Sequence, residues 1–429
     1  MQSSNKRSHF FVCVSAALVL ISRADASTLA VTSCADNNSA GTLRAQVTAA
    51  ASGDTIDLNN LSCSPIVLSG EIAITQQDLS LDGHARATPA TISGNHAGGV
   101  INHSGNGTLT ISGLRIVDGN FPYPGPSGAH DVVCIHSAGS VAMSHSVVTG
   151  CTGVFPYIAG GGVYALGDVT LDSTDISNNA IGWSSSGGGG VSGGGVCTRG
   201  NLTATDSTIS NNTANGYDGG FGGGATVSGN LTLVRSTISN NHGYFGSGIW
   251  VSGSASIVNS TISSNVSPNP NTAAVEIGGY KGAISATISN STIANNNNIG
   301  LVFGGGTASD SIVLQSSIFA HNGDAHLEQD LRVAQGTPSG ANNLAIRSNV
   351  TTSGVITLTI DPQLQPLGNN GGPTLTHALL AASPAIGAGN NVAGLSYDQR
   401  GVGYPRTTNG LADIGAIQFT DKIFADGFQ

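Results

Sequence analysis

GNLTLVRSTISNN (229–241) is the stretch that decides the fold. Leu231 and Leu233 alternate with Thr232, and Thr237-Ile238 resume the rhythm after Arg235-Ser236. Period-2 alternation of Leu, Val, Ile, Thr and Ser is strand pattern, not helix. It sends Leu231, Leu233 and Ile238 inward, with Thr232 and Thr237 outward. Asn240-Asn241 ends the block at a turn, since Asn tolerates left-handed backbone and bonds its own backbone.

The block recurs. GTLTISGLRIVDG (107–119), GDVTLDSTDISNN (167–179), GNLTATDSTISNN (200–212) and GSASIVNSTISSN (253–265) are copies, and a later one ends in NSTIANN (290–296). With the late apolar residue as marker, the series is Ile116, Val148, Ile176, Ile209, Ile238, Ile262, Ile293, Phe319, spaced 32, 28, 33, 29, 24, 31 and 26 residues. A period of about 20–50 residues denotes a solenoid. No gap is needed inside the block, so each turn is a rigid coil with one tolerant loop. Gly is 62 of 429 residues and charge only 9%, which leaves no charged amphipathic faces for helices.

The expectation is therefore an all-β parallel β-helix of about eight or more coils, capped at its N-terminus. Coils stack about 4.8 Å apart, so equivalent residues form ladders. The Asn pairs 178–179, 211–212, 240–241 and 295–296 would bond amide to amide up the stack. Ser207, Ser236, Ser260 and Ser291 form a second inward column, small enough for a tight bend.

Residues 1–26 read as a secretory signal: Lys6 and Arg7, an apolar run Phe10–Ile21, then Ala24-Asp25-Ala26 as an A-x-A site before Ser27. No later segment is apolar for about 18 residues, so no transmembrane segment is expected. Five Cys follow the signal, and secretion permits disulfides. Cys34–Cys63 flank the N-terminal cap and make the first pair; Cys134–Cys151 is a second pairing, leaving Cys197 as an odd, packed thiol. No metal spacing occurs, and no cofactor is evident. The formal charge is −10, and 3 of the 14 Lys and Arg lie within the signal. That argues against nucleic acid and anionic membranes, and against polyanionic sugars unless Ca²⁺ bridges them.

The chain divides into the signal 1–26, an N-terminal cap with the first coils 27–100, β-helix repeats 101–360, a C-terminal region 361–420 and a short tail 421–429. A helix from Leu43 to Ala51 would cover the open end of the first coil. The region 361–419, punctuated by Pro and Gly, is expected to close the other end.

DPQLQPLGNNGGPTLTHALLAASPAIGAG (361–389), DQRG (398–401), Pro405-Arg406 and ADIGAIQF (412–419) resemble the choice-of-anchor Q C-terminal domain of secreted bacterial right-handed parallel β-helix proteins. Cys34, then GTLRA (41–45) and GDTIDL (53–58), are similar in part to the start of those proteins. The resemblance implies a pectin-lyase-like fold and an extracellular or cell-surface location. It brings no catalytic motif. The tail DKIFADGFQ (421–429) lacks the apolar helix and basic end of a membrane-anchored sorting signal.

Alignment of the glycine-led strands predicts one outward ladder, His136, Tyr164, Cys197, Thr226, Trp250, and beside it Ala138, Leu166, Arg199, Ser228, Ser252. The next coil adds Glu276 and Lys281. In pectin-lyase-like enzymes one long sheet carries the substrate cleft, which makes this face the first site candidate. A glycosidase needs two carboxylates about 5–10 Å apart, and Glu276 has no obvious partner. Asp206 and Arg235 share another outward column, as an acid or calcium ligand beside a base, or as a surface ion pair worth under about 1 kcal/mol. Aromatics gather in successive loops: Phe121 and Tyr123, Phe155 and Tyr157, Trp183, Tyr217 and Phe221, Tyr244 and Phe245. With Trp250 they form a stripe for stacking on sugars or docking a partner, or they fold back over the Gly-rich loops.

Two functions fit these observations. One is a secreted or cell-surface scaffold that binds a polysaccharide or a surface partner through aromatics, with no catalytic site evident. The alternative is a carbohydrate-active enzyme, a polysaccharide lyase or glycoside hydrolase, using Arg199, Glu276 and Lys281.

Overall fold

The computed structural model describes residues 25–121, 134–154, 158–182, 191–216, 219–278, 282–305, 307, 309–323 and 329–420. One coil shows how the repeat folds. Val169–Asp172 turns at Ser173-Thr174 into Asp175–Ser177, which turns at Asn178-Asn179 into Ala180–Gly182. The chain returns through Val191–Ser192 and Val196–Thr198 to the next coil. Each strand pairs in parallel with its equivalent one coil along. Sheet 1, which holds Val169–Asp172, has 12 strands; sheet 2, which holds Asp175–Ser177, has 12; sheet 3, which holds Val196–Thr198, has 10. Two short sheets of five and three strands lie on the loop side. The fold is an all-β parallel β-helix, as the repeat predicts.

The marker residues Ile116 to Phe319 lie in register in sheet 2, and the column extends to Ile66 and Ile92 before them and Ala345 after. All eight markers have zero exposure. The first Asn of each pair takes the left-handed turn, Asn178 at φ 57° and Asn240 at φ 54°. The second is buried and forms the ladder. Asn212 Nδ2 donates to Ile176 O at 2.9 Å and to Asn241 Oδ1 at 3.0 Å, and Asn241 Nδ2 donates onward to Asn265 Oδ1 at 3.0 Å. Asp330 ends the ladder by accepting from Asn322 Nδ2 at 3.1 Å. The Ser column works likewise: the Ser207 amide donates to Ser236 Oγ at 3.2 Å, and the Ser236 amide to Ser260 Oγ at 3.1 Å. Buried polar groups inside the coil are thus paired along its axis. The repeated glycine ahead of each sheet 3 strand packs on this ladder; a Cβ at Gly224 would lie 2.9 Å from Asn241 Nδ2.

The cap helix runs Leu43–Ala49, with Thr42 as N-cap accepting from the Ala45 amide. Leu43 and Val47 face the first coil and join the core. Disulfides join Cys34 to Cys63 and Cys134 to Cys151, and Cys197 is free and buried.

The C-terminal region corrects one expectation. Residues 361–420 do not close the end of the stack. They lie along the outer face of sheet 2, from the coil at Arg235 to the coil at Asn342. Thr237 Oγ1 donates to Leu375 O at 2.6 Å, Asn259 Nδ2 to Tyr397 O at 2.8 Å, and Asn342 Nδ2 to Ala388 O at 2.9 Å. The Ala416 amide donates to Thr292 Oγ1 at 3.0 Å. Thr237 therefore points outward from its coil yet has zero exposure. Outward Ile318 and Leu344 make a second small core with Leu379, Ala385 and Ile414 of the cover. The physical reason is that sheet 2 carries an apolar and hydroxyl column that water alone would cover poorly.

The motifs 398–401, 405–406 and 412–419 build that cover. Arg400 Nη2 pairs with Asp398 Oδ2 at 2.6 Å, both buried. Arg406 donates to Gly415 O and Asp413 O, each at 2.9 Å. Burial lowers the Arg406 guanidinium to about 10. Asp413 accepts from the Gly387 amide at 2.7 Å.

Candidate functional site

The aligned ladder exists. His136, Tyr164, Cys197, Thr226, Trp250 and Glu276 are register partners on consecutive strands of sheet 3, preceded by Asn102 and followed by Val302 and Arg332. Each is the middle residue of its strand or the equivalent position, flanked by inward neighbours such as Ile249 and Val251 around Trp250.

At one end the column is polar and ordered. Asn102 Nδ2 donates to Glu71 Oε1 at 3.1 Å, so its Oδ1 accepts from His136 Nδ1 at 3.0 Å. The His136 ring stacks on Tyr164 with centroids 5.7 Å apart and planes 18° apart. Tyr164 is hydrogen-bonded to Arg199, which holds that guanidinium above its ordinary value.

Arg199 leads into a pocket of about 260 Å³, shared with Ser192, Cys197, Phe221, Thr226, Ser228 and Trp250. Phe221 is edge-on to Trp250 at 5.4 Å and stacked on Phe245 at 5.1 Å, and Tyr244 meets Phe245 edge-on at 4.8 Å. The Thr226 hydroxyl donates to Phe221 O at 2.8 Å, tying the loop to the strand. The loop turns on Gly246 at φ 55°, where a Cβ would come within 2.8 Å of Trp250 Cβ. Burial pushes the Cys197 thiol up to about 12, so it is an inert floor residue and no nucleophile.

Glu276 stands one rung beyond Trp250. Burial raises its carboxyl, opposed by the Arg332 charge and the Gly246 amide. Its Oε2 has no hydrogen-bond partner among the described residues. Three rungs of about 4.8 Å separate the strand of Arg199 from that of Glu276, and Arg199 bonds Tyr164 on the side away from Glu276, so the structure does not bring the two together. Lys281 lies outside the described residues, as do Tyr123, Phe155, Tyr157, Trp183 and Tyr217. Phe121 ends the strand Asn120–Phe121. Asp206 and Arg235 stand apart from this face, at the corner between sheets 1 and 2. They form a two-pronged ion pair at 2.8 and 2.7 Å, tighter than the ladder spacing alone implies. Among the described residues no three His, Cys, Asp or Glu gather as a metal-binding group.

Sequence reasoning missed Ser192, which comes from a variable loop, and the Tyr164–Arg199 bond. The offset between two adjacent predicted columns was the available signal for that bond.

No family model matches the chain, and no curated protein matches it. Among solved structures, the crystal structure of pectate lyase Pel9A is similar: TM-score 0.44, 14% identity, covering 92% of this chain and 98% of that one.

Proposed function

We propose that this protein is an extracellular β-helix that binds a glycan in the sheet 3 pocket. One observation carries the reading: two aromatic rings, a guanidinium and three hydroxyls converge on a single open pocket. Rings offer an apolar face to the C–H side of a pyranose, while hydroxyls and Arg199 meet its oxygens. Two disulfides fit an oxidising compartment, and the reading of residues 1–26 as a secretory signal points the same way. Among the described residues no helix is long and apolar enough to cross a membrane. We infer as well that the protein is extracellular and that the cover, residues 361–420, is a choice-of-anchor Q-like region, on the resemblance of its motifs. The test is binding of the purified chain to neutral and acidic polysaccharides, with and without Ca²⁺. Trp250→Ala is expected to weaken binding by about tenfold, or 1.4 kcal/mol. Unchanged affinity would remove the pocket from the account.

A second reading rests on Glu276, a desolvated carboxyl with an unpartnered oxygen beside Trp250. A carboxyl raised in this way suits general acid catalysis of glycan cleavage. Release of reducing or unsaturated ends by the wild type, lost in Glu276→Gln, would establish it. No product from any polysaccharide would end it.

A further inference from the structure

A second depression, of about 500 Å³, adjoins the pocket and shares Ser228 with it. It lies where the strands of sheet 3 turn toward sheet 1, around Asn230, Ser252, Ser254 and Ile284. Its floor is glycine. A Cβ at Gly229 would come 2.7 Å from Asn201 Oδ1, and one at Gly253 would come 2.7 Å from Asn230 Oδ1, so glycine lets consecutive coils stack closely beneath the trough.

The trough walls carry hydrogen-bonding groups that the fold does not use. Asn230 spends its oxygen on the Ser254 amide at 2.9 Å and its own amide N–H on Asn201 Oδ1 at 2.8 Å. Its side-chain NH₂ has no partner among the described residues, and neither do the Ser228 and Ser252 hydroxyls. Ser254 differs, because its hydroxyl accepts from the Ser285 amide at 3.0 Å. Ala283 and Ile284 supply a small apolar edge. None of the described residues lining the trough is charged. Arg199, in the neighbouring pocket, is the only charged residue described in either depression.

We propose that the trough is a second subsite that takes a neutral sugar unit of the same glycan whose neighbouring unit fills the aromatic pocket. The inference rests on the glycan reading of that pocket and extends it. Free donors and acceptors beside an apolar edge match a polyhydroxy ring. Among the described residues the lining holds no cation, and the chain's formal charge is −10; both disfavour an anionic one. Because the two depressions meet at Ser228, the ligand passes from sheet 3 toward the corner with sheet 1, following the strands.

Calorimetry on the full chain tests this. The probes are glucose, xylose and mannose oligomers of increasing length, from single units upward, and galacturonate oligomers of the same lengths. The expected result is a gain of about tenfold on passing from one unit to two or three in a neutral series. Ser252→Trp fills the trough at a partly exposed position and should erase that gain while leaving single-unit binding unchanged. Asn230→Ala should reduce it, and serves if the Trp variant does not fold. A flat dependence on length, an unchanged gain in Ser252→Trp and Asn230→Ala, or a steeper gain with galacturonate would each overturn the subsite while leaving the pocket standing. If no series binds the wild type, the pocket reading falls and the subsite with it.

Discussion

The outward columns of sheets 2 and 3 are built from the same short strands, yet one is sealed and the other is open. In sheet 2, Thr237, Thr261 and Thr292 are at most 2% exposed because the C-terminal cover lies on them. In sheet 3, Thr226 and Trp250 occupy the same kind of position and line a pocket. Strand pattern tells inside from outside. It does not tell which outside surface meets water, because that depends on what another part of the chain lays over it. The sheet 2 column is consumed in folding, and the sheet 3 column opens onto the pocket around Trp250.

The largest test of this contrast removes the seal. Asp398 is fully buried, pairs with Arg400, and accepts from the Gln418 amide at 2.8 Å. Asp398→Ala leaves a buried guanidinium without its partner, a loss of about 3–5 kcal/mol. The cover should open while the coils persist, since each coil contacts mainly its neighbours. Limited proteolysis should then cut within 361–420 and spare the repeats, and glycan binding at sheet 3 should survive. Loss of binding together with the cover would mean that the two faces are not independent.

The β-helix was legible because its signals are local and repeated: Leu231 and Leu233, the Asn pairs and the inward Ser column each recur once per coil. The outward ladder through Trp250 was legible for the same reason. The cover was not, because its partners lie far apart in sequence. Gln399 Nε2 bonds Thr237 Oγ1 at 2.9 Å across 162 residues, and nothing periodic announces such a pair. The C-terminal motif was visible as a motif, but its Asp and Arg residues are spent on each other and on backbone carbonyls. Of the candidate charges, Arg199 reaches the pocket, whereas Asp206 and Arg235 satisfy one another elsewhere.

A subtler test uses pH. His377, 3% exposed, joins the cover to the stack: its Nδ1 donates to Gln365 O at 2.7 Å, and its Nε2 accepts from Ser263 Oγ at 2.8 Å. Burial, the main cause, and the nearby His321 hold its imidazole below the ordinary 6.5. His321 itself faces Asp361 at 3.3 Å. The folded chain thus resists a proton that the unfolded chain accepts. The contribution is fully present above pH 6.5 and declines as pH falls below that value. Thermal unfolding followed from about pH 8 to pH 5 should show the cover weakening on acidification, and His377→Gln should flatten the trend. An identical pH profile in the variant would assign the trend to other groups.

The smallest effect is expected at Arg235, where the cover begins. Its ion pair with Asp206 is partly exposed, 31% and 21% for the two side chains, so water and salt screen it. Its backbone sits at φ 49°, in a left-handed column that Asn259, Asn290 and Asn342 also occupy. Arg235→Ala should cost under about 1 kcal/mol, and the cost should vanish in about 1 M salt. Arg235→Asn should cost less, because Asn tolerates the left-handed turn that both Arg and Ala resist. In both variants the Arg235 carbonyl still accepts from Thr374 Oγ1 at 3.2 Å, so the cover stays seated. A loss of several kcal/mol in either variant, measured by denaturant unfolding, would show that the seal begins with this side-chain pair. A small loss would place it at Thr237, the first fully buried Thr of the column.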